Sequence, residues 1–253
     1  DARLLVNLVQ TAAEQGAVIA NYVPVTAVTK GEDGFVDGVL ARDVESGREF
    51  RVPGKVVINA TGPFADGVRR MAEPDAPALI APSQGIHLVF PRAFLPGDSA
   101  IMVPHTRDGR VMFAIPWHGH TLVGTTDTPI DTPTLEPLPM EEEIAFILET
   151  AAQYLHKAPT RDDVLSVFVG IRPLVKSGDS KLTAALSRDH TIHIDASGLL
   201  TTTGGKWTTY RHMAEDTVHQ AADLARLPER PCVTKTLNVH GFHSAPEKFE
   251  ALG

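Results

Sequence analysis

Three places in the sequence set a cation or a proton carrier at or near the end of an apolar run. The run Leu199-Leu200-Thr201-Thr202-Thr203 passes directly into Gly204-Gly205-Lys206-Trp207-Thr208 and then into a helical pattern. A strand that turns through two glycines into a helix leaves backbone N–H groups at the helix start without intrahelical acceptors, pointing past the strand end. With Lys206 beside them, the corner suits an anion or a polarised carbonyl oxygen, and the same residues also make an ordinary tight turn. Gly170-Ile171-Arg172-Pro173 closes a second apolar run. The planar fork of Arg172, held on stiff backbone, matches phosphate or carboxylate, or equally a structural ion pair. Arg188, in Ser187-Arg188-Asp189-His190, carries the same two readings, with Asp189 as its neighbour. His87 alternates against Ile86, Leu88 and Phe90, so it occupies the other face of its strand. On a cavity wall it would exchange protons near neutrality; elsewhere it is a structural histidine.

Other chemistries find less support. Among eleven histidines the close pairs are His118 with His120 and His190 with His193. Neither has a helical His-Glu-x-x-His layout or a convincing third ligand, so no metal is expected. No nucleophile elbow, Walker loop or Gly-x-Gly-x-x-Gly is present. The single Cys232 reads as an inert thiol and fits a reducing compartment. Against 31 acidic residues stand 23 scattered basic ones, a net charge of −8, which argues against a nucleic-acid partner. No run approaches the roughly 18 apolar residues of a membrane-spanning helix, and the start Asp1-Ala2-Arg3 has neither an initiator Met nor a signal-peptide layout. A processed or truncated chain is therefore expected.

The elements that must position these residues follow from periodicity. Leu4 to Ala13 has helical spacing and stops at Gly16. Ala17 to Ala20 reads as a short buried strand, followed by a small meander of strands Val23 to Thr29, Phe35 to Arg42 and Glu49 to Val52. Lys55 to Ala60 reads as a strand buried on both faces. Strands broken by Pro and Gly then follow at Gly85 to Pro91, Ala100 to Pro104, Arg110 to Trp117 and Thr121 to Thr125, an antiparallel sheet. A Pro-rich loop, Thr128 to Pro139, feeds a helix from Glu141 to His156, whose acidic first turn complements the helix dipole. Strands Val164 to Ile171, Thr191 to Asp195 and Gly198 to Thr203 precede a helix from Trp207 to Leu224, and Cys232 to Val239 is strand-like.

Seven blocks, in order, carry a resemblance: Asn59-Ala60-Thr61-Gly62-Pro63, Pro82-Ser83-Gln84-Gly85-Ile86-His87-Leu88-Val89, Ile115-Pro116-Trp117, Val123-Gly124-Thr125-Thr126-Asp127, Gly170-Ile171-Arg172-Pro173, Ser187-Arg188-Asp189-His190, and Gly204-Gly205-Lys206-Trp207-Thr208-Thr209-Tyr210-Arg211. Together the sequence resembles the FAD-dependent glycerol-3-phosphate dehydrogenases of the D-amino-acid-oxidase-like flavoprotein class. The resemblance implies oxidation of sn-glycerol 3-phosphate to dihydroxyacetone phosphate, with hydride passing to FAD and electrons then to a membrane quinone. It implies Val25 at the adenine end of the cofactor, and Ala60, Thr61 and Gly62 beside its pyrophosphate and ribose. Gly204, Gly205, Lys206, Trp207 and Thr208 match the turn at the flavin's pyrimidine side. His87 matches the proton acceptor, with Lys206 assisting, and Arg172 and Arg188 the phosphate-holding arginines. Gln84 stands where some members carry Lys. An amino-acid or amine oxidase of the same superfamily is the alternative, as is a catalytically inactive fragment.

The expected fold class is α/β (α+β): an incomplete FAD-binding Rossmann-like domain with an antiparallel-sheet substrate domain. Residues 1–63 and 191–227 are assigned to the cofactor domain, 64–190 to the substrate domain, and 228–253 to a linker. The family's opening glycine-rich turn and its helical C-terminal domain have no counterpart here, so the resemblance implies an internal portion of a longer enzyme, poor at binding FAD alone. It places that enzyme in the cytoplasm, peripheral to the inner membrane, and is compatible with a homo-oligomer.

Overall fold

A computed structural model describes residues 2–104, 106, 111–176 and 189–246. It divides into two compact units, residues 1–57 with 211–253, and residues 58–210.

The first unit holds helix α1 (Ala2–Glu14) and the expected meander, β1 (Val25–Lys30), β2 (Val36–Arg42) and β3 (Glu49–Pro53), in antiparallel order β1-β2-β3. Asx turns tighten its connections: the Asp33 carboxylate accepts from the Phe35 N–H and that of Asp43 from the Glu45 N–H, both at 3.0 Å. Helix α4 (Tyr210–Leu224) runs almost entirely in this unit. Two expected strands are absent from it. Ala17 to Ala20 is irregular, with Val18 96% and Ile19 49% exposed. Cys232 to Val239 forms turns, closed by the Thr236 and Leu237 N–H groups donating to the Val233 carbonyl. A strand exists through its ladder to a neighbour, and neither segment has one among the described residues.

In the second unit β5 (Ile80–Pro91) is the longest strand and pairs with three others. The sheet order is β10-β5-β8-β7-β6, built from β6 (Ile101–Val103), β7 (Met112–Trp117), β8 (His120–Gly124) and β10 (Ser166–Val175), with the two-residue β9 (Thr128–Pro129) also on β5. All of its pairings are antiparallel. Period-two alternation sends Ile86, Leu88 and Phe90 to one face, where Val123, Ala114, Met112 and Val103 join them beneath helix α3 (Glu141–Ala151), which contributes Ile144, Ile147 and Ala151. Each fully buried side chain of this kind stabilises the fold by about 1.5–3 kcal/mol, so this face fixes the register of the whole sheet. The helix stops short of the expected His156, whose N–H is drawn instead to the Phe94 carbonyl at 3.2 Å.

A smaller sheet, order β11-β12-β4, joins β11 (His190–Ile194), β12 (Leu200–Gly204) and β4 (Ile58–Asn59). The strand expected over 55–60 is reduced to those two residues, because its ladder is a parallel pairing of Ile58 with Leu200 and Asn59 with Thr201. Helix α2 (Ala65–Ala72), with no clear signal in the sequence, packs against this sheet.

The fastening of α2 is ionic. Buried Arg69 donates from Nε to Asp195 Oδ2 at 3.1 Å and from Nη2 to Oδ1 at 2.7 Å, and from Nη1 to the Pro77 carbonyl at 2.7 Å. Burial alone would raise the Asp195 carboxyl, but the Arg69 fork and His193 outweigh it and the pKa is lowered below the ordinary 3.8. Breaking one side of a buried pair strands the other charge. Arg69→Met is therefore expected to cost about 3 kcal/mol at neutral pH. A carboxylate with a depressed folded pKa contributes stability above its unfolded value, lost as pH falls through the folded one. The gap between wild type and variant in urea unfolding should thus narrow below about pH 4; a gap unchanged by acid would refute the assignment.

Candidate active site

The face of the large sheet opposite its core is where two of the singled-out residues, His87 and Arg172, meet. On β5 it carries Ser83, Gly85 and His87. Ladder partners share a face, so β10 adds Phe168 opposite His87, Gly170 opposite Gly85 and Arg172 opposite Ser83. β8 adds Gly124 opposite His87, and β7 adds Phe113 opposite Gly124. Phe113 is 46% exposed, Trp117 39% and Phe168 42%, and the last two rings meet edge to face at 5.6 Å. An open face that sets aromatics beside the imidazole of His87 and the guanidinium of Arg172 is unlike an ordinary solvated surface.

Two glycines shape it. A Cβ at Gly124 would lie 2.4 Å from His87 Cδ2, and a Cβ at Gly85 would lie 2.4 Å from Arg172 Nη1. The imidazole and the guanidinium therefore lie flat on backbone, in room that any other residue would fill. Gly85 and His87 are two residues apart on the strand, so the two groups sit about 7 Å from each other along it.

Arg172 is oriented from the loop after β8. Its Nη2 donates to Thr125 Oγ1 at 3.0 Å, and its Nη1 lies 3.6 Å from Asp127 Oδ1. Ser83 also donates to Asp127. The ion-pair reading of Arg172 thus holds alongside its exposure, since 31% of the side chain stays open. His87 is half-buried, and burial first, then the charge of Arg172, hold its pKa below the ordinary 6.5. A neutral imidazole at pH 7 can accept a proton.

The second cluster lies at the small sheet. Because β4 and β12 run parallel, their carboxyl ends open at the same edge. Ala60, Thr61 and Gly62 follow one, and Gly204, Gly205, Lys206, Trp207 and Thr208 follow the other. Ala60, Thr61, Lys206, Trp207 and Thr208 are exposed. Gly204 and Gly205 both have left-handed φ, +76° and +72°, which L side chains rarely adopt, and they swing the chain into a helical segment that begins at Trp207. Open parallel sheets bind nucleotides beyond carboxyl ends of this kind. The β10 strand ties the clusters together: Val175, three residues beyond Arg172, packs against Gly204.

Val25 lies in the other unit, opening β1 opposite Ala41. Arg188 falls outside the described residues. Gln84 points into the core, where its Nε2 donates to Glu143 Oε2 at 2.8 Å. The sequence reading missed Thr125 and Asp127 as holders of Arg172, and Gly85 and Gly124 as its floor and that of His87. Glycine at the centre of a strand was the available signal.

The family described as FAD dependent oxidoreductase matches residues 1–211. The probable mitochondrial glycerol-3-phosphate dehydrogenase of Caenorhabditis elegans is 44% identical over 247 residues, covering 96% of this chain and 34% of that protein. The mitochondrial glycerol-3-phosphate dehydrogenase of Homo sapiens is 45% identical over 248 residues, 95% of this chain and 34% of that one. The chain thus spans about a third of the length of these relatives. A crystal structure of the Bacillus halodurans glycerol-3-phosphate dehydrogenase complexed with FAD superposes with a TM-score of 0.85 at 33% identity, over 99% of this chain and 48% of that one.

Proposed function

The chain belongs to the FAD dependent oxidoreductase family, and from that premise we propose that the full-length protein oxidises sn-glycerol 3-phosphate to dihydroxyacetone phosphate. The observation that carries the proposal is the pair His87 and Arg172, laid side by side over Gly124 and Gly85 on the open sheet face. The relatives named glycerol-3-phosphate dehydrogenase support the same substrate.

The residues present fit FAD: two parallel strands ending at one edge, a paired-glycine turn without Cβ atoms, and first-turn N–H groups beside a cation. Ala60, Thr61, Gly62, Gly204, Gly205, Lys206, Trp207 and Thr208 would hold it. When bound, it supplies the hydride acceptor. The chain's own work is threefold. Arg172, whose side chain is 31% exposed, takes the substrate phosphate, while Thr125 and Asp127 orient the guanidinium. A hydroxyl separated from a phosphate by a few bonds then reaches His87, given the spacing of about 7 Å. Neutral His87 accepts the C2 hydroxyl proton while the C2 hydrogen departs as hydride, which leaves a ketone and balances the charge. Lys206 assists by its positive charge at the strand-end corner, where negative charge grows on reduction. Arg188 is assigned to the phosphate as a second cation.

Electrons then pass to a quinone at the surface of the inner membrane, to which the protein is peripheral. Among the described residues no helix is long and apolar enough to cross a membrane, and the relatives are named mitochondrial. The test is dye reduction by the purified full-length protein. Glycerol 3-phosphate is expected to bleach its flavin absorbance and support turnover. Turnover with an amino acid or amine, and none with glycerol 3-phosphate, would overturn the proposal.

A further inference from the structure

We propose that Glu143, on the core side of the sheet, is a positioning residue for the substrate phosphate, acting through the segment that grips Arg172. The proposal rests on the reading of Arg172 as the phosphate anchor.

Glu143 is 2% exposed at the first turn of α3, and both of its carboxyl oxygens accept twice. Oε1 takes the hydroxyls of Thr126 at 2.9 Å and Thr128 at 2.8 Å. Oε2 takes Gln84 Nε2 at 2.8 Å and the Met140 N–H at 3.2 Å. One buried group therefore joins β5, the segment after β8 and the start of α3, with every donor paired. No step of the chemistry uses it.

The segment from Thr125 to Thr128 divides its side chains by parity. Thr126 and Thr128 turn to Glu143, whereas Thr125 and Asp127 turn to Arg172. Thr126 is further pinned by the Ile86 N–H, which donates to its Oγ1 at 3.0 Å. Thr125 donates its own hydroxyl to the Thr126 carbonyl at 3.1 Å, so its oxygen is left to accept from Arg172. That same Thr126 carbonyl lies 2.6 Å from where a Gly85 Cβ would stand, which puts this backbone directly beside the guanidinium. Even-numbered contacts to Glu143 thus set the position of odd-numbered contacts to Arg172. A guanidinium held by two partners on one edge presents a fixed fork to phosphate; released, it spends its binding on being ordered.

The experiment uses the full-length protein with Glu143→Gln, Thr126→Val and Thr126→Ser, each alone and in an Arg172→Ala background. Readouts are kcat, KM for glycerol 3-phosphate, flavin content, and calorimetric affinity for inorganic phosphate. Glu143→Gln and Thr126→Val are expected to raise KM and the phosphate Kd by about tenfold, with kcat changed less than about twofold. Thr126→Ser, which keeps the hydroxyl, should stay near wild type, and in the Arg172→Ala background the Glu143 and Thr126 effects should vanish. Effects of equal size in that background would overturn the proposal, as they would show a general structural role. If Arg172→Ala loses phosphate affinity while folded Glu143→Gln and Thr126→Val keep it, positioning fails and the anchor reading stands. If Arg172→Ala itself keeps phosphate affinity, the anchor reading fails and this proposal with it.

Discussion

Arg172→Ala in the full-length enzyme is expected to lower kcat/KM for glycerol 3-phosphate about a thousandfold, close to 4 kcal/mol of lost transition-state stabilisation. Two losses combine. The phosphate dianion forfeits a charge-assisted, forked partner on a stiff strand, and buried Asp127 forfeits the cation 3.6 Å from its carboxylate. Arg172→Lys should recover part of this, since an ammonium keeps the charge but lacks the planar fork. Flavin content is expected to stay near wild type in both, because the residues proposed to hold the cofactor follow β4 and β12, on a separate sheet. Steady-state kinetics with glycerol as a phosphate-free comparator separates the explanations. The variant should treat glycerol as the wild type does, so preference for the phosphorylated substrate collapses. If kcat/KM for glycerol fell equally, Arg172 would be supporting the sheet rather than reading phosphate.

The reach of the sequence is plain in the same residues. His87 was legible because its neighbours Ile86, Leu88 and Phe90 alternate against it, and period two leaves no other face for it. Arg172 was legible as a cation on stiff strand backbone, but β10 runs past the expected end at Ile171 to Val175, which puts Arg172 inside the strand, and its partners were not legible. Asp127 lies 45 positions away, and which acid meets it depends on the β5 register that places Ser83 opposite Arg172. Arg69 went unseen for a related reason. Helix α2 is only eight residues long and has just two large apolar residues, Val68 and Met71, too short a run to stand out, and the buried pair with Asp195 spans 126 positions. The runs at 17–20 and 55–60 show the reverse failure. Apolar composition announced strands that need hydrogen-bonded neighbours, and the described residues supply a partner for Ile58 and Asn59 alone. Composition sets which segments want burial; pairing decides which become strands.

His87→Gln is expected to lower kcat about a thousandfold while changing KM little, within the range for loss of a positioned general base. Glutamine keeps a polar side chain over Gly124 but cannot take the proton. The pH profile carries the sharper test. Burial and the Arg172 charge hold the folded imidazole pKa below 6.5, so the neutral, competent form persists to lower pH than in a free histidine. In the free enzyme kcat/KM should therefore rise with pH through an apparent pKa below 6.5 and level off above it, and the limb should disappear in His87→Gln. The sign follows from the same asymmetry in stability. A histidine depressed on folding contributes stability above 6.5 that is lost as pH falls through its folded value, since the unfolded chain binds the proton more readily. Arg172→Ala removes the cationic cause of the depression, the smaller of the two, so its acidic limb should move upward toward the ordinary histidine value. A limb that stays in place in Arg172→Ala, or that survives in His87→Gln, would assign the proton to another group.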